Sequence, residues 1–430
     1  MSKNMFFGRE KEIAWLRGEF DACAVRNEKG EFSGPRMAFV IAETGVGKSR
    51  LVQELYHQLA SDETWNFQNY WPNTFGEYGQ QMSVAPEMSE HRVDGPPRFI
   101  WLGARWQPVD IRNVQDRRSV LPELRYAVTA HVKIVEQHQS AWAVASNRMI
   151  KAVKADCIDE IGGEAVGQMA EIAFAQIPFA GLIWKLGKGA ADLSAERLSS
   201  PMSHEQIKSE QINSEVDEML QCMRGLLSGK AAVPTIIWLD DAQWIDSETA
   251  DFLDRLWKES QKKNYPLLVV VTHYEREWLE LKKNNSIHVG ECWKREGHSL
   301  ACFDDGSERV SVHKLEYATN DVLNDYLLSA LPGITNTQRK LLVEKSGGNF
   351  LTLIENVGEL ISIPLNFVGG SISGALTEKA FSRIQTFETD RAKRVRQRFM
   401  QLDQDVQKIL GWSSQFGTRF IRDVIAVVSG

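Results

Sequence analysis

Cysteine is scarce in this chain. Its five cysteines are scattered over 430 residues and make no disulfide framework. No secretory leader precedes the first helix, and the two absences together predict a reducing, cytoplasmic setting. Long apolar runs are missing as well. The most membrane-like stretch, residues 165–187, is broken by Gln168, Glu171, Gln176, Pro178 and Lys185. It reads as a buried or partner-facing helix, and no membrane partner is expected. There is no surplus of positive charge either. A formal net charge of −7 excludes a protein that coats nucleic acid or anionic membrane over its whole surface, while leaving room for a local basic site. His288, Cys292, His298 and Cys302 are zinc-ligand types, but their spacing matches no standard zinc module, so they read as a surface loop with free thiols. No internal repeat of fixed period runs through the chain. What remains is the composition of an ordinary soluble protein, long enough for two or three domains and a large core.

Against that background one stretch organises the rest. Met37 to Ile41 is an apolar strand, Ala42-Glu43-Thr44-Gly45-Val46-Gly47-Lys48-Ser49 follows it, and Leu51, Val52, Leu55 and Leu59 then recur at helical spacing. Strand, Gly-rich loop and helix in that order make a nucleotide-binding P-loop, with Ala42 standing where glycine is most frequent. Gly45 and Gly47 let backbone N–H groups turn inward on phosphate oxygens, and the helix presents its positive end to them. Lys48 adds a full charge for the β- and γ-phosphates. The Ser49 hydroxyl is placed to ligate Mg²⁺.

Before this strand, Phe6-Phe7-Gly8-Arg9-Glu10 opens a helix with Ile13, Leu16 and Phe20 on one face. After the P-loop helix, residues 63–97 show no sustained period and read as a long irregular insertion. Residues 98–105 look like a second buried strand, and residues 121–227 are mostly helical in pattern. Thr235 to Leu239 is a further short apolar run, followed at once by Asp240 and Asp241. Beside a P-loop strand, Asp240 would hold Mg²⁺ through its waters and Asp241 would orient an attacking water. Paired acids also serve simply to cap a following helix; Gln243-Trp244-Ile245-Asp246 and the helical pattern from Ser247 favour the metal reading. Leu267 to Val271 and residues 309–315 complete the strands. Strands alternating with helices imply an α/β, doubly wound parallel sheet with its ligand at the strands' carboxyl ends, where the P-loop, Asp240 and Thr272 all fall.

The C-terminal third reads as helices at about 320–331 and 336–345, a Gly347-Gly348 cap, and a third helix from Asn349 through Glu359. A Gly-rich linker at 368–374 precedes a last helical segment. There Arg391, Lys393, Arg394, Arg396 and Arg398 cluster, either as a solvated helix face or as a contact for nucleic acid or a neighbour's phosphate.

With these pieces placed, the chain resembles the STAND class of signalling ATPases in the AAA-like branch of P-loop proteins. Phe7-Gly8-Arg9-Glu10 is similar to the entry motif, Ala42 to Ser49 to Walker A, and Ile236 to Asp246 to Walker B with its Gln-Trp-x-Asp signature. Gly348-Asn349-Phe350-Leu351 resembles the Gly-Asn-Pro element of the lid, and residues 402–430 the start of a winged-helix domain. The resemblance implies a P-loop ATPase core over 1–315 with insertions at about 63–97, 107–210 and 279–308. A helical lid over 316–375 and an incomplete winged-helix segment over 376–430 would follow, with the native chain continuing past Gly430.

The same resemblance implies ATP or ADP with Mg²⁺ as cofactors. Phe7, Gly8 and Arg9 would lie near the adenine. Glu43, Thr44, Gly45, Val46, Gly47, Lys48, Ser49 and Arg50 would surround the phosphates, with Thr272, Gly348, Asn349 and Phe350 completing the nucleotide site. Ser49 and Asp240 would hold the metal, with Lys48 and Asp241 as the catalytic groups. Two positions depart from the family pattern: Tyr274 stands where an arginine is frequent, with Arg276 out of register, and Phe350 replaces the lid proline. The implied function is an ATP-driven switch that forms a homo-oligomer when an unknown ligand or protein activates it, with antiphage defence or transcriptional control as settings. The alternatives are a DNA-binding regulator or DNA-loading ATPase that uses the winged helix, and a nucleotide-locked scaffold that hardly turns over.

Overall fold

This computed structural model describes residues 6–65, 84–85, 98–106, 204–229, 232–276 and 308–385, most of 120–135 and 399–413, and the single positions 393 and 396. The readings made above for 165–187, for His288 to Cys302, for Arg391, Arg394 and Arg398, and for 414–430 lie outside these residues. Among the described residues no helix is long and apolar enough to cross a membrane.

Five strands form one sheet: β1 (Arg36–Ala42), β2 (Ile100–Arg105), β3 (Thr235–Asp240), β4 (Leu267–Tyr274) and β5 (Val310–Lys314). Their order is β2-β3-β4-β1-β5, and every pair is parallel. The short apolar runs fold this way because parallel strands are covered on both faces and need no polar alternation. Side chains still alternate between the two faces. Ala38, Val40, Trp101, Trp238, Leu268 and Val270 pack to one side, under helices α1 (Glu10–Ala24) and α2 (Lys48–Ser61). Met37, Phe39, Leu102, Ile237, Val269 and Val271 pack to the other, under α3 (His204–Leu227), α4 (Ser247–Lys263) and the helical residues 124–132. Each such fully buried side chain contributes roughly 1.5–3 kcal/mol. β4 runs three residues beyond its expected end at Val271, because its pairing with β1 continues to Ala42 opposite Tyr274.

A second, helical unit follows β5. α5 (Asn320–Ala330), α6 (Asn336–Ser346) and α7 (Phe350–Ile361) are capped by Thr319, Thr335 and Asn349 respectively. Thr335 and Gln338 form a reciprocal capping box, and Gly347 ends α6 at a φ of 57°, a left-handed conformation that suits glycine. The third helix therefore begins one residue after Asn349, which serves as its cap. Residues 368–374, expected as a linker, instead fold back: Val368 N–H donates to the Ala375 carbonyl at 2.8 Å, and Phe367 bridges to Leu376. Phe367 and Leu376 are both buried and anchor the two ends of the turn, while residues 368–373 stay exposed. The same core continues to Ala380 and Ile384 on α8 (Glu378–Gln385). α9 (Gln404–Ser413) is the last helix described.

Candidate functional site

The loop between β1 and α2 has the shape its composition predicts. Gly45 and Gly47 take φ values of 84° and 109°, which side-chain-bearing residues rarely adopt. Ala42 is fully buried in the sheet, so its methyl group occupies core space rather than the loop. Val46 also points into the core and Glu43 is exposed, so these two serve the loop through their backbone. Lys48 is 5% exposed, and its Nζ donates to the carbonyls of Ala42 at 2.9 Å and Glu43 at 3.1 Å. The same ammonium lies 4.5 Å from the centre of the Tyr274 ring. Arg50 is paired with Glu54 at 3.2 Å and lies over the Phe6 ring at 5.4 Å.

The acids after β3 meet this loop from 191 residues away in sequence. Ser49 Oγ donates to Asp240 Oδ1 at 2.9 Å, and Thr272 Oγ1 donates to the same oxygen at 2.6 Å. Arg105 Nε, at the end of β2, donates to Oδ2 at 2.6 Å. Thr272 thus steadies the acid and also accepts from the Asp241 N–H at 3.0 Å. Asp241 sits in a left-handed conformation, φ 56°, which aspartate tolerates better than most residues. Burial, together with the neighbouring charge of Asp240, pushes its carboxyl up to about 6, against the opposing pull of Lys48 and Arg105. A carboxyl poised there exchanges a proton readily near neutral pH. On the adjoining strand, burial drives His273 down to about 4, so its ring is neutral.

Asp246 has a structural task. It caps α4 by accepting from Thr249 N–H at 2.9 Å, and its other oxygen takes the Trp106 indole N–H at 2.9 Å and the Val120 N–H at 3.3 Å.

An aromatic cluster joins the entry segment to the helical unit. Phe7 meets Tyr326 edge-on with ring centres 5.8 Å apart, and Tyr326 meets Phe350 at 5.1 Å. Gly8, φ 61°, packs so tightly on Val322 that a Cβ would come within 2.7 Å of it. Arg9 pairs with Glu12 at 2.9 Å and donates to the Glu316 carbonyl, fastening the entry segment to the start of the helical unit. Gly348 lies against Tyr317. Two bonds then tie α7 to the phosphate loop: Asn349 Nδ2 to the Thr44 carbonyl at 2.8 Å, and Leu351 N–H to the Gly45 carbonyl at 3.1 Å. A Cβ on Gly45 would lie 2.5 Å from Asn349 Oδ1, so close approach adds to the φ requirement there.

A parallel sheet ordered β2-β3-β4-β1-β5, with the loop after β1 facing acids after β3, leaves little choice of architecture. This is a doubly wound parallel α/β sheet, the architecture that a P-loop core requires. No family model matches the chain, and no curated protein is similar to it in sequence. Among solved structures it is similar to Cdc6p from Pyrobaculum aerophilum at a TM-score of 0.36 and 12% identity, covering 86% of this chain and 69% of that one. It is also similar to the ORC2 protein of Aeropyrum pernix, solved as ADPNP–ADP complexes, at a TM-score of 0.42 and 8% identity, over 100% of this chain and 81% of that one.

The residues present fit a magnesium–nucleotide. Ser49 and Asp240 supply adjacent hard oxygen donors, the ligand type Mg²⁺ prefers, beside a glycine loop that opens on a helix N-terminus. Among the described residues no group of three or more His, Cys, Asp and Glu side chains makes a separate metal site. Sequence reasoning missed Arg105, the clamp made by Asp246 and the Lys48–Tyr274 contact. Arg105 stands at the end of a recognisable strand, but only the strand order reveals that β2 lies beside β3.

Proposed function

We propose that the protein binds ATP at the Gly45–Ser49 loop and hydrolyses it slowly, as a switch of the STAND type that assembles into a homo-oligomer when activated. The observation that carries this reading is the Ser49–Asp240 contact of 2.9 Å, which unites the loop hydroxyl with the acid of β3. Loop N–H groups and the start of α2 bind the phosphates, and Lys48 turns from the Ala42 and Glu43 carbonyls to the β- and γ-oxygens. Mg²⁺ held by Ser49 and Asp240 would supply neutralising charge on those oxygens. Asp241 accepts the proton of the attacking water, for which a carboxyl near 6 is suited. Phe7, Tyr326 and Phe350 offer an aromatic surface for the base.

Tyr274 gives the γ-phosphate no cation of its own, so the missing charge comes from a neighbouring copy, through Arg276 or the Arg391–Arg398 cluster. Lys393 and Arg396 of that cluster are exposed. Defence against phage is the setting that the resemblance implies. The α7–loop bonds favour a second reading, a nucleotide-locked scaffold with little turnover. Measuring ATPase rate against protein concentration separates the two. A specific rate that rises from nanomolar to micromolar protein supports the assembling switch, and a flat, near-zero rate supports the scaffold. A high, flat rate removes activation in trans.

A further inference from the structure

Arg105 and Asp240 are register partners across the β2–β3 pair. The backbone beyond Arg105 is held, since Trp106 N–H donates to the Asp240 carbonyl at 3.2 Å and its indole N–H to Asp246. The arginine side chain is 16% exposed, so the guanidinium borders solvent on one side while it holds the acid on the other. Its Nε holds Oδ2 of a carboxylate that is itself 1% exposed, while the hydroxyls of Ser49 and Thr272 hold Oδ1. Three donors, one of them a permanent cation, therefore take three of the roughly four lone pairs through which Asp240 would serve Mg²⁺. A guanidinium is weakly hydrated and does not lose its proton, so it makes a durable counter-ion for a buried acid. It competes for the same oxygens as a hydrated metal.

We propose that Arg105 is a positioning residue that acts as the built-in counter-cation of Asp240 in the metal-free protein and releases the acid when metal-bound nucleotide enters. Arg105 thereby sets how strongly nucleotide binding depends on divalent metal. This inference rests on the nucleotide site proposed above.

The test is calorimetric titration of the full chain with ADP, once in EDTA and once in excess MgCl₂, comparing the ratio of the two dissociation constants. In Arg105→Gln the bare Asp240 repels phosphate whenever metal is absent, so the ratio rises by about tenfold or more. Arg105→Lys keeps the charge and stays within about threefold of the unsubstituted ratio. A ratio unchanged in Arg105→Gln, or raised equally by Arg105→Lys, overturns the proposal. Should Arg105→Gln not fold, the unsubstituted chain gives the answer by nitrogen-15 NMR. The Nε–H resonance lost in Arg105→Lys exchanges slowly in EDTA, and shifts with faster exchange on adding ADP with Mg²⁺ but not ADP with EDTA. A resonance that does not move overturns the idea. If ADP binds under neither condition, the nucleotide reading falls and this inference falls with it; binding with an unmoved ratio removes this inference alone.

Discussion

At the proposed phosphate end, Gly45 to Ser49 are consecutive in the chain, and the conformations of the two glycines follow from their residue type. At the aromatic end, Phe7 lies more than 300 residues before Tyr326 and Phe350 in the chain, and no one of them makes a surface alone. The first end is a local motif completed by the paired acids Asp240 and Asp241, with Thr272 and Arg105 holding Asp240. The second exists only because the helical unit docks. Chemistry concentrated in one end and assembly in the other predicts that substitutions will separate them: phosphate-end changes should act on ligand binding and turnover, aromatic-end changes on stability and docking.

The largest effect is expected from Lys48→Ala. Without the ammonium, loop amides alone face several phosphate charges, and affinity for a fluorescent ATP analogue should drop by about 100-fold or more in equilibrium titration. Unchanged affinity would take Lys48 out of the site and dissolve the contrast. Next comes Asp241→Asn, which keeps the shape but cannot take up a proton. It should leave Mg·ATP bound and slow single-turnover hydrolysis by roughly two to four orders of magnitude. A wild-type rate would move the base elsewhere, with Glu43 next to be tried.

The same variant has a stability signature. Asp241 titrates at about 6 in the folded protein, above its ordinary value of 3.8. Its contribution to stability is therefore fully present below pH 4 and lost as pH rises through 6. Asp241→Asn should melt higher than the parent at pH 7, by on the order of 3 kcal/mol at most, with the gap closing by pH 4. A gap independent of pH contradicts the raised carboxyl.

Smaller effects belong to the aromatic end. Gly8→Ala puts a methyl group against Val322 at a positive φ, and should cost about 1–3 kcal/mol in chemical denaturation. Its ATP affinity should change less than that of any phosphate-loop variant; a loss as deep as that of Lys48→Ala would mean the two ends act as one. Asn349→Ala removes the α7 cap and the bond to Thr44, and should cost about 1 kcal/mol, read as a lower melting temperature. No change in melting would show that the α7 cap and the Thr44 bond add little.

The division also explains what could be read in advance. β1, the loop, α2 and the acids after β3 were legible, because each carries its own pattern: apolar run, glycines at fixed offsets, helical period, paired carboxylates. The helix starts near 320, 336 and Asn349 were equally local, whereas the capping roles of Thr319 and Thr335 came only with the structure. Arg105 was not legible, since strand order is a property of packing and β2 is separated from β3 by the longest insertion. The turn at 368–374 was misread for a related reason. Its glycine-rich composition carries no sign of the fold-back, which depends on the burial of Phe367 and Leu376 on the helical unit. Asp246 looked like part of a chemical signature, and its partners Trp106 and Val120 reveal a clamp.

That clamp bears on how this chain tolerates growth. Asp246 holds Trp106 and Val120 at the start of α4, while α3 returns to the same helix through Arg224 with Glu259 and Arg255 with Asp217. The chain thus leaves the sheet and rejoins it at two docking points on one helix. Closing a longer excursion between fixed ends costs only about 0.6 kcal/mol for each doubling of its length. Evolution or an engineer can therefore lengthen or shorten the chain between Val135 and α3 while the strand order and the core residues between Val120 and Val135 stay as they are.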